Sequence, residues 1–389
     1  MIGVRAANRQ RVVDLLRERG PMTQAALARA AGLSPATVSS IARELRADGW
    51  LEPAAGPRAA LTLSRRAGAA LGIDFGHSHV RVAVADLGHT VLAEAQEALD
   101  VDQDAADGVA RAAAMARRLL AEAGVEAGLV TGVGVGVPAP LRRDRGEVGD
   151  SAILPGWIGA RPGELIRDAL GLEARVDNDA NLGALAELVW GAGRGCSELV
   201  YVKAASGVGA GLILGGRLYR GHAGTAGELG HLTIDDRGPV CRCANRGCVE
   251  TYAGAEAVLE PLRRRHGPGL TLRAAIELAR GGDLGCRRVI ADAGAALGVA
   301  VAGVCNLLAP QRVVVGGELA GAGDLLLDPL RAAVRLCAIA ATRRTEVVAG
   351  VLGERAEVLG AVALVLRESR RYVAEPEPPA ATGGSTAGS

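Results

Sequence analysis

Aromatic side chains are nearly missing from this chain: its 389 residues include three Trp, four Tyr and one Phe. A core here must be built from Ala, Val, Leu and Ile, which the 49% hydrophobic content can supply. Lysine is scarcer still, with Lys203 alone, and every other basic residue is Arg. There is no N-terminal apolar stretch followed by a small-residue cleavage site, so the expected location is the cytoplasm. Long hydrophobic runs are almost absent too. The exception, "AGAALGVAVAGVCNLLAP" at 293–310, is long enough to raise the membrane question. It is rich in Gly and Ala and stops at Pro310, so it reads as a buried core helix, and no membrane partner is expected. Cysteine is limited to seven residues, and three of them fall between 241 and 248. Clustered thiols in a reducing compartment favour a metal over disulfides.

The length suffices for two or three domains, each with its own core. The net charge of +1 conceals an asymmetry. Residues 1–66 hold eleven Arg against five acidic residues, leaving the remainder acidic. A small basic module on a larger acidic body points to nucleic acid as the partner of the small part.

That module has a pattern. "RQRVVDLLRERG" sets Val12, Leu15 and Leu16 on one side of a helix ending at Gly20. "TQAALARAAG" is a short second helix, capped by Thr23 and closed by Gly32. "SPATVSSIARELRADGW" starts a third, with Ser34 as N-cap and Pro35 in the first helical position. Val38, Ile41, Ala42 and Leu45 share one face of it. Two short helices around a tight turn form a helix-turn-helix, and "WLEPAAGPRAALTLS" adds two strands, a wing with Arg58 at its tip. The bland alternative is a plain three-helix bundle. The groove-facing positions are expected to be Ser34, Ala36, Thr37, Ser39 and Arg43, with Arg58 reaching from the wing.

After residue 66 apolar strands and Gly-rich turns take over. "GAALGIDFGHSHVRVAVADLGHTVLAEA" reads as strand, turn and two further strands, and "ELVYVKAASGVGAGLILGGRLYRG" repeats the idea. Two such halves imply an internal duplication with a ligand cleft between them. The turns "DFGHSH", with Asp74 and Gly76, and "SGVGAG", with Ser206, Gly207 and Gly209, resemble phosphate loops, though tight turns look the same. "RVDNDANLGALAE" delivers Asn178, Asp179 and Asn181 to the start of a helix, where a carboxylate between carboxamides can take a hydroxyl proton while they orient one sugar. A helix cap would explain one of the three. In "GTAGELGHL", Glu228 and His231 stand three apart and can share a face toward vicinal hydroxyls; Glu250 can do the same. His231, Cys241, Cys243 and Cys248 make a closed tetrahedral zinc set, which leaves no open position and is therefore structural. Their spacing is not that of a DNA-binding finger. The bland reading is three unrelated buried cysteines.

Together "LGIDFGHSHVRVAVAD", "VDNDANLGALAE", "GELGHL" and "CRCANRGCVE" resemble the motifs of the ROK family (repressors, open reading frames, kinases), along nearly the whole chain. The resemblance implies an α/β, actin-like, hexokinase-type two-lobed domain at 67–373, preceded by a winged helix-turn-helix at 1–66 and followed by a disordered tail at 374–389. It further implies a sugar held by Asn178, Asp179, Glu228, His231 and Glu250, with His231 both ligating structural zinc and facing the sugar. The first loop departs from the family's Gly-Gly-Thr: Gly76 is followed by His77 and Ser78, and an imidazole there crowds a phosphate. Ser206 replaces a threonine, and Ala244 replaces a glycine, which reads as harmless. The phosphate loops are therefore expected to be vestigial, and ATP with magnesium is not expected to bind.

These observations lead to one expectation. The chain is a homodimeric (or tetrameric) repressor that binds double-stranded operator DNA and senses a sugar or phosphosugar. The rival is an ATP-dependent hexose kinase with Asp179 as general base.

Overall fold

The computed structural model of the chain describes residues 4–54, 60–100, 104–142, 145–149 and 154–368. Arg58 and the expected tail from 374 onward lie outside the described residues. The chain forms two compact units. The first takes residues 4–69 with 86–90 and 366–368; the second takes 70–85 with 91–365.

In the first unit α1 (Val4–Arg19) buries Val12, Val13, Leu15 and Leu16. β1 (Met22–Thr23) leads into α2 (Gln24–Ala31), which begins where the Thr23 hydroxyl accepts from the Ala26 N–H at 3.2 Å. It ends at Gly32, whose φ of 65° is a left-handed conformation that glycine adopts without a Cβ penalty. α3 (Pro35–Ala47) starts at Ser34, with Oγ accepting from the Thr37 N–H at 3.1 Å. Its apolar face, Val38, Ile41, Ala42 and Leu45, is buried. β2 (Leu51–Pro53) and β3 (Ala60–Leu63) pair antiparallel, and β3 pairs on its other side with β1. Three helices with a small sheet complete the winged helix-turn-helix.

Two segments from far along the chain complete this unit. The His89 ring donates to the Arg17 carbonyl at 2.6 Å, the Leu87 N–H to the Gly68 carbonyl at 3.2 Å, and the Arg367 guanidinium to the Glu18 carbonyl at 3.2 Å. A boundary at 66 has no place for these returns, because a five-residue turn carries no periodicity that would assign it to a distant helix.

The second unit opens with β4 (Ala69–Phe75), β5 (His79–Asp86) and β6 (Val91–Ala98), followed by α4 (Ala105–Glu122), β7 (Val130–Val137) and the small hairpin β8 (Leu141–Arg142) and β9 (Glu147–Val148). Then come α5 (Pro162–Leu170), β10 (Ala174–Asn178) and α6 (Asp179–Val189). The second series is β11 (Leu199–Ala204), β12 (Val208–Leu214), β13 (Arg217–Tyr219), α7 (Glu250–Ala253), α8 (Ala255–His266), α9 (Leu272–Arg280), α10 (Leu284–Leu308), β14 (Arg312–Gly316), α11 (Asp324–Cys337), β15 (Glu346–Ala349) and α12 (Ala356–Glu368).

The strands form two five-stranded sheets, ordered β10-β7-β4-β5-β6 and β13-β12-β11-β14-β15. Each has the same plan. Three consecutive strands lie side by side, and two later strands add beyond the first of them; β10 runs parallel to β7, β14 to β11 and β15 to β14. This repetition is the duplication anticipated from the two strand–turn–strand segments.

Strand alternation divides the core. In β11, Leu199 and Tyr201 join Leu182, Leu185, Ala361 and Leu364 on one face, while Val200 and Val202 join Ile290, Leu297, Leu326 and Leu330 on the other. A sheet buried on both faces needs apolar residues throughout, which is why β11 reads as a continuous run broken only by Lys203. α10 is long and apolar enough to cross a membrane, yet it packs here against α11. Gly294 and Gly298 allow that approach, since the carbonyls of Leu326 and Leu330 take the space a Cβ would need.

Candidate ligand cleft and cysteine–histidine cluster

The second unit brings the separate sequence motifs together. A cavity of about 230 Å³ is lined by Asn178, Asp179, Glu228, His231 and Glu250, with Lys203, Arg220 and Arg242 among them. The "RVDNDANLGALAE" motif crosses from β10 to α6, so its polar residues stand at a strand end and a helix start. Asn178 is the N-cap of α6: its Oδ1 accepts from the Ala180 N–H at 2.9 Å, and its amide donates to the Ala139 carbonyl at 3.4 Å. Asp179 Oδ1 accepts from the same N–H at 2.7 Å, and Oδ2 accepts from Lys203 Nζ at 2.7 Å. Capping and cleft-lining thus coexist in Asn178.

Asp177, which the sequence reading passed over, organises this segment. It is 5% exposed. It accepts from Arg220 Nε at 2.6 Å, from the Asn181 amide at 2.8 Å and from the Asn178 N–H at 2.9 Å. Asn181 is turned to that structural task, its amide committed to Asp177.

Glu250 opens α7 immediately after the cysteine cluster. Its Oε2 accepts from the Val208 N–H at 3.0 Å and from Arg242 at 2.8 Å, tying the Ser206–Gly209 turn to the cysteine loop. A Cβ at Gly207 would push against Glu250 Oε2, so glycine there leaves the Glu250 carboxylate its place. Glu228 Oε2 lies 3.9 Å from His231 Nε2. Burial, and to a lesser degree the fields of Asp179 and Glu250, push its carboxyl above the usual range, while His231 opposes them.

The opposite nitrogen of His231, Nδ1, is 3.6 Å from Cys241 Sγ, and Cys243 Sγ is 3.6 Å from Cys248 Sγ. All four donor atoms lie within 4.8 Å of one another. Burial first, then its sulfur neighbours, push the Cys248 thiol up to about 12. Crowded thiols of this kind are relieved by one central cation, and the donor set suits a tetrahedrally held ion. One imidazole therefore faces the cysteine cluster with one nitrogen and Glu228 with the other. Ala244, within the same loop, sits at φ 70°, so the change from glycine is not harmless: the backbone carries left-handed strain.

The loop after β4 carries an imidazole over its glycine. The His79 ring packs over Gly76, where an added Cβ would displace it, and its Nε2 is 3.3 Å from Asp74 Oδ2. The Gly76 N–H donates to the His79 carbonyl at 2.9 Å. His77 lines the cavity at this end. His79 contributes an obstruction beyond the one expected from His77; its alternation with His77 along the hairpin was the available signal.

In the first unit Ser34, Ala36 and Arg43 are exposed, and Thr37 and Ser39 are partly so. Ser34 and Thr37 are joined through their hydroxyls at 2.8 Å. The acids of α3 and its C-cap are neutralised from α1: Arg9 reaches Asp48 at 2.6 Å and Glu44 at 3.4 Å. The Arg5 guanidinium beside Glu44 holds its carboxyl below the usual range. Arg43 and Arg46 remain exposed, so α3 presents a net positive face.

Residues 70–368 match the ROK family, and residues 5–52 match a winged helix-turn-helix DNA-binding family. The chain belongs to the ROK family. Among its relatives, the xylose repressor of Caldicellulosiruptor bescii is 26% identical over 382 residues, covering 93% of this ROK protein and 96% of the repressor. The glucokinase of Thermotoga maritima is 34% identical over 251 residues, which is 60% of this chain and 78% of that enzyme. In structure, a ROK family transcriptional regulator described as a homologue of the Escherichia coli MLC protein superposes with a TM-score of 0.75 at 26% identity, covering 94% of this chain and 96% of that one. The regulators cover nearly the whole chain, and the glucokinase 60% of it.

Proposed function

We propose that this ROK protein is a cytoplasmic, sugar-responsive transcriptional repressor. The observation that carries the reading is the end-to-end match to a xylose repressor, winged helix included, which a kinase match over 60% of the chain does not offer. In this reading residues 1–66 bind one half of a palindromic operator and a second copy of the chain binds the other half. Ser34, Ala36, Thr37, Ser39 and Arg43 face the major groove, and Arg58 serves the wing. Residues 67–373 take the effector sugar, which shifts the protein between DNA-binding and released states by its differential affinity for them.

The sugar is held by Asn178, Asp179, Glu228, His231 and Glu250. Zinc is the ion for His231, Cys241, Cys243 and Cys248. A tetrahedron with Zn–S bonds of about 2.3 Å has edges of about 3.8 Å, close to the observed 3.6 Å separations. When bound, the ion supplies rigidity and fixes the His231 tautomer through Nδ1. His231 is then free to present Nε2, and Glu228 its carboxylate, to vicinal hydroxyls. The kinase reading is weakened where Asp74, Gly76 and His79 meet, since the Gly76 N–H is engaged by the His79 carbonyl and the His79 ring lies over that turn.

The test is paired. On an operator selected from genomic fragments, Arg43→Ala should weaken binding at least tenfold, from loss of a phosphate or base contact, while sugar affinity by calorimetry stays unchanged. An ADP-release assay across hexoses and pentoses should give no turnover; turnover abolished by Asp179→Ala would establish the kinase instead.

A further inference from the structure

The chain's single lysine occupies an unusual position. Lys203 lies in the otherwise apolar β11, with its side chain 19% exposed. Its Nζ is 2.7 Å from Asp179 Oδ2 and 3.1 Å from Glu357 Oε1, and Asp74 adds a third attractive field. These carboxylates come from three elements, α6, α12 and β4. Lys203 and Asp179 line both the sugar-side cavity and a second one of about 540 Å³, which also contains Asp74, His77 and Glu357. The ammonium therefore stands where the two cavities meet.

Three converging acids need a compensating cation. In a phosphoryl-transfer site a divalent ion meets that need and keeps open positions for phosphate oxygens. A tethered ammonium meets it with no open position and no exchange. We propose that Lys203 is a built-in cation standing in for a divalent ion among Asp74, Asp179 and Glu357. It holds Asp179 as a fixed acceptor for a sugar hydroxyl and keeps metal–phosphate ligands out of the junction. The second clause rests on the non-kinase reading above; the cation substitution itself does not.

The probe is Mn²⁺ alone, followed by electron paramagnetic resonance on zinc-loaded, full-length protein. Wild type should bind no Mn²⁺ at this junction. Lys203→Met should gain one site, with affinity at least tenfold above any background, and Asp179→Asn in the same chain should remove it. Lys203→Arg, which keeps the charge, should fold and gain none. A Lys203→Met protein that folds and takes no additional Mn²⁺ overturns the proposal. Should Lys203→Met fail to fold, Lys203→Ser tested the same way decides it. If Lys203→Met gains Mn²⁺ while wild type turns over ATP, the built-in cation stands and the repressor reading fails.

Discussion

Asp177 and Asp179, two residues apart, should respond to the same substitution on different axes, one mainly in stability and the other mainly in sugar affinity. Asp177 is buried and serves three donors, the strongest being Arg220 at 2.6 Å. Asp177→Asn removes the carboxylate charge that Arg220 Nε contacts, the Arg220 side chain being 13% exposed. Breaking a buried pair costs about 3–5 kcal/mol, and the residual exposure places this case near 3 kcal/mol. At about 2–4 °C per kcal/mol for a large unit, the melting temperature should fall by about 6–12 °C. Asp179→Asn differs: Lys203 keeps Glu357 at 3.1 Å, and Asn178 still caps α6. That loss should stay near 1 kcal/mol, or about 2–4 °C. Sugar affinity should reverse the order. A hydrogen bond to a charged group is worth about 1.5–3 kcal/mol, so Asp179→Asn should lose roughly 10- to 150-fold, with Asp177→Asn falling far less when measured well below its melting point. Differential scanning fluorimetry and calorimetry read the two axes. Equal destabilisation by both variants, or wild-type sugar affinity in Asp179→Asn, would refute the division of labour.

Other outcomes follow from the same structure. Ala244→Gly should raise stability by up to about 1 kcal/mol, because the left-handed φ of 70° no longer carries a Cβ; chemical denaturation checks this. Burial pushes the Glu187 carboxyl up against the pull of three backbone N–H groups, so the fold favours its proton. Its stabilising share is complete below the ordinary carboxylate pKa and is lost as pH rises through the raised one. Glu187→Gln should therefore gain on wild type in melting temperature as pH rises above the ordinary carboxylate value of about 4. Chelating the ion at His231 and the three cysteines should abolish sugar binding before operator binding, since residues 1–66 contain neither Cys nor His; loss of DNA binding first would count against a bracing role.

Legibility in the sequence tracked local physics. The caps at Thr23 and Ser34, the Gly32 terminus and the Val38–Ile41–Ala42–Leu45 face depend on neighbours within one or two turns, and each stands where the pattern put it. The Cys/His cluster was legible because metal donors crowd in sequence before they crowd in space. What stayed hidden was long-range pairing. Lys203 with Glu357, Arg220 with Asp177 and Arg242 with Glu250 unite different elements, and no periodicity marks such partners. A charged residue inside the apolar "LVYVKA" strand was the clue to the first of them. The structure draws Asn178, Asp179 and Asn181 to one cavity, yet the distribution of tasks within the segment needed coordinates, because Asp177 takes the Asn181 amide and the Asn178 N–H for itself.

The returns of 86–90 and 366–368 into the first unit bear on how this architecture can be recombined. A winged helix joined to its neighbour by one tether could be exchanged between regulators by cutting after residue 66. Here the main chain passes between the units four times, and the carbonyls of Arg17 and Glu18 at the end of α1 take donors from His89 and Arg367. A chimaera cut at one point would inherit a reading head with vacant acceptors, unless the foreign body supplied an equivalent turn and helix end. In this protein the unit of exchange includes the turn at 86–90 and the helix end at 366–368, and, on the proposed reading, operator preference would be altered by residue changes on α3 more readily than by grafting at one point.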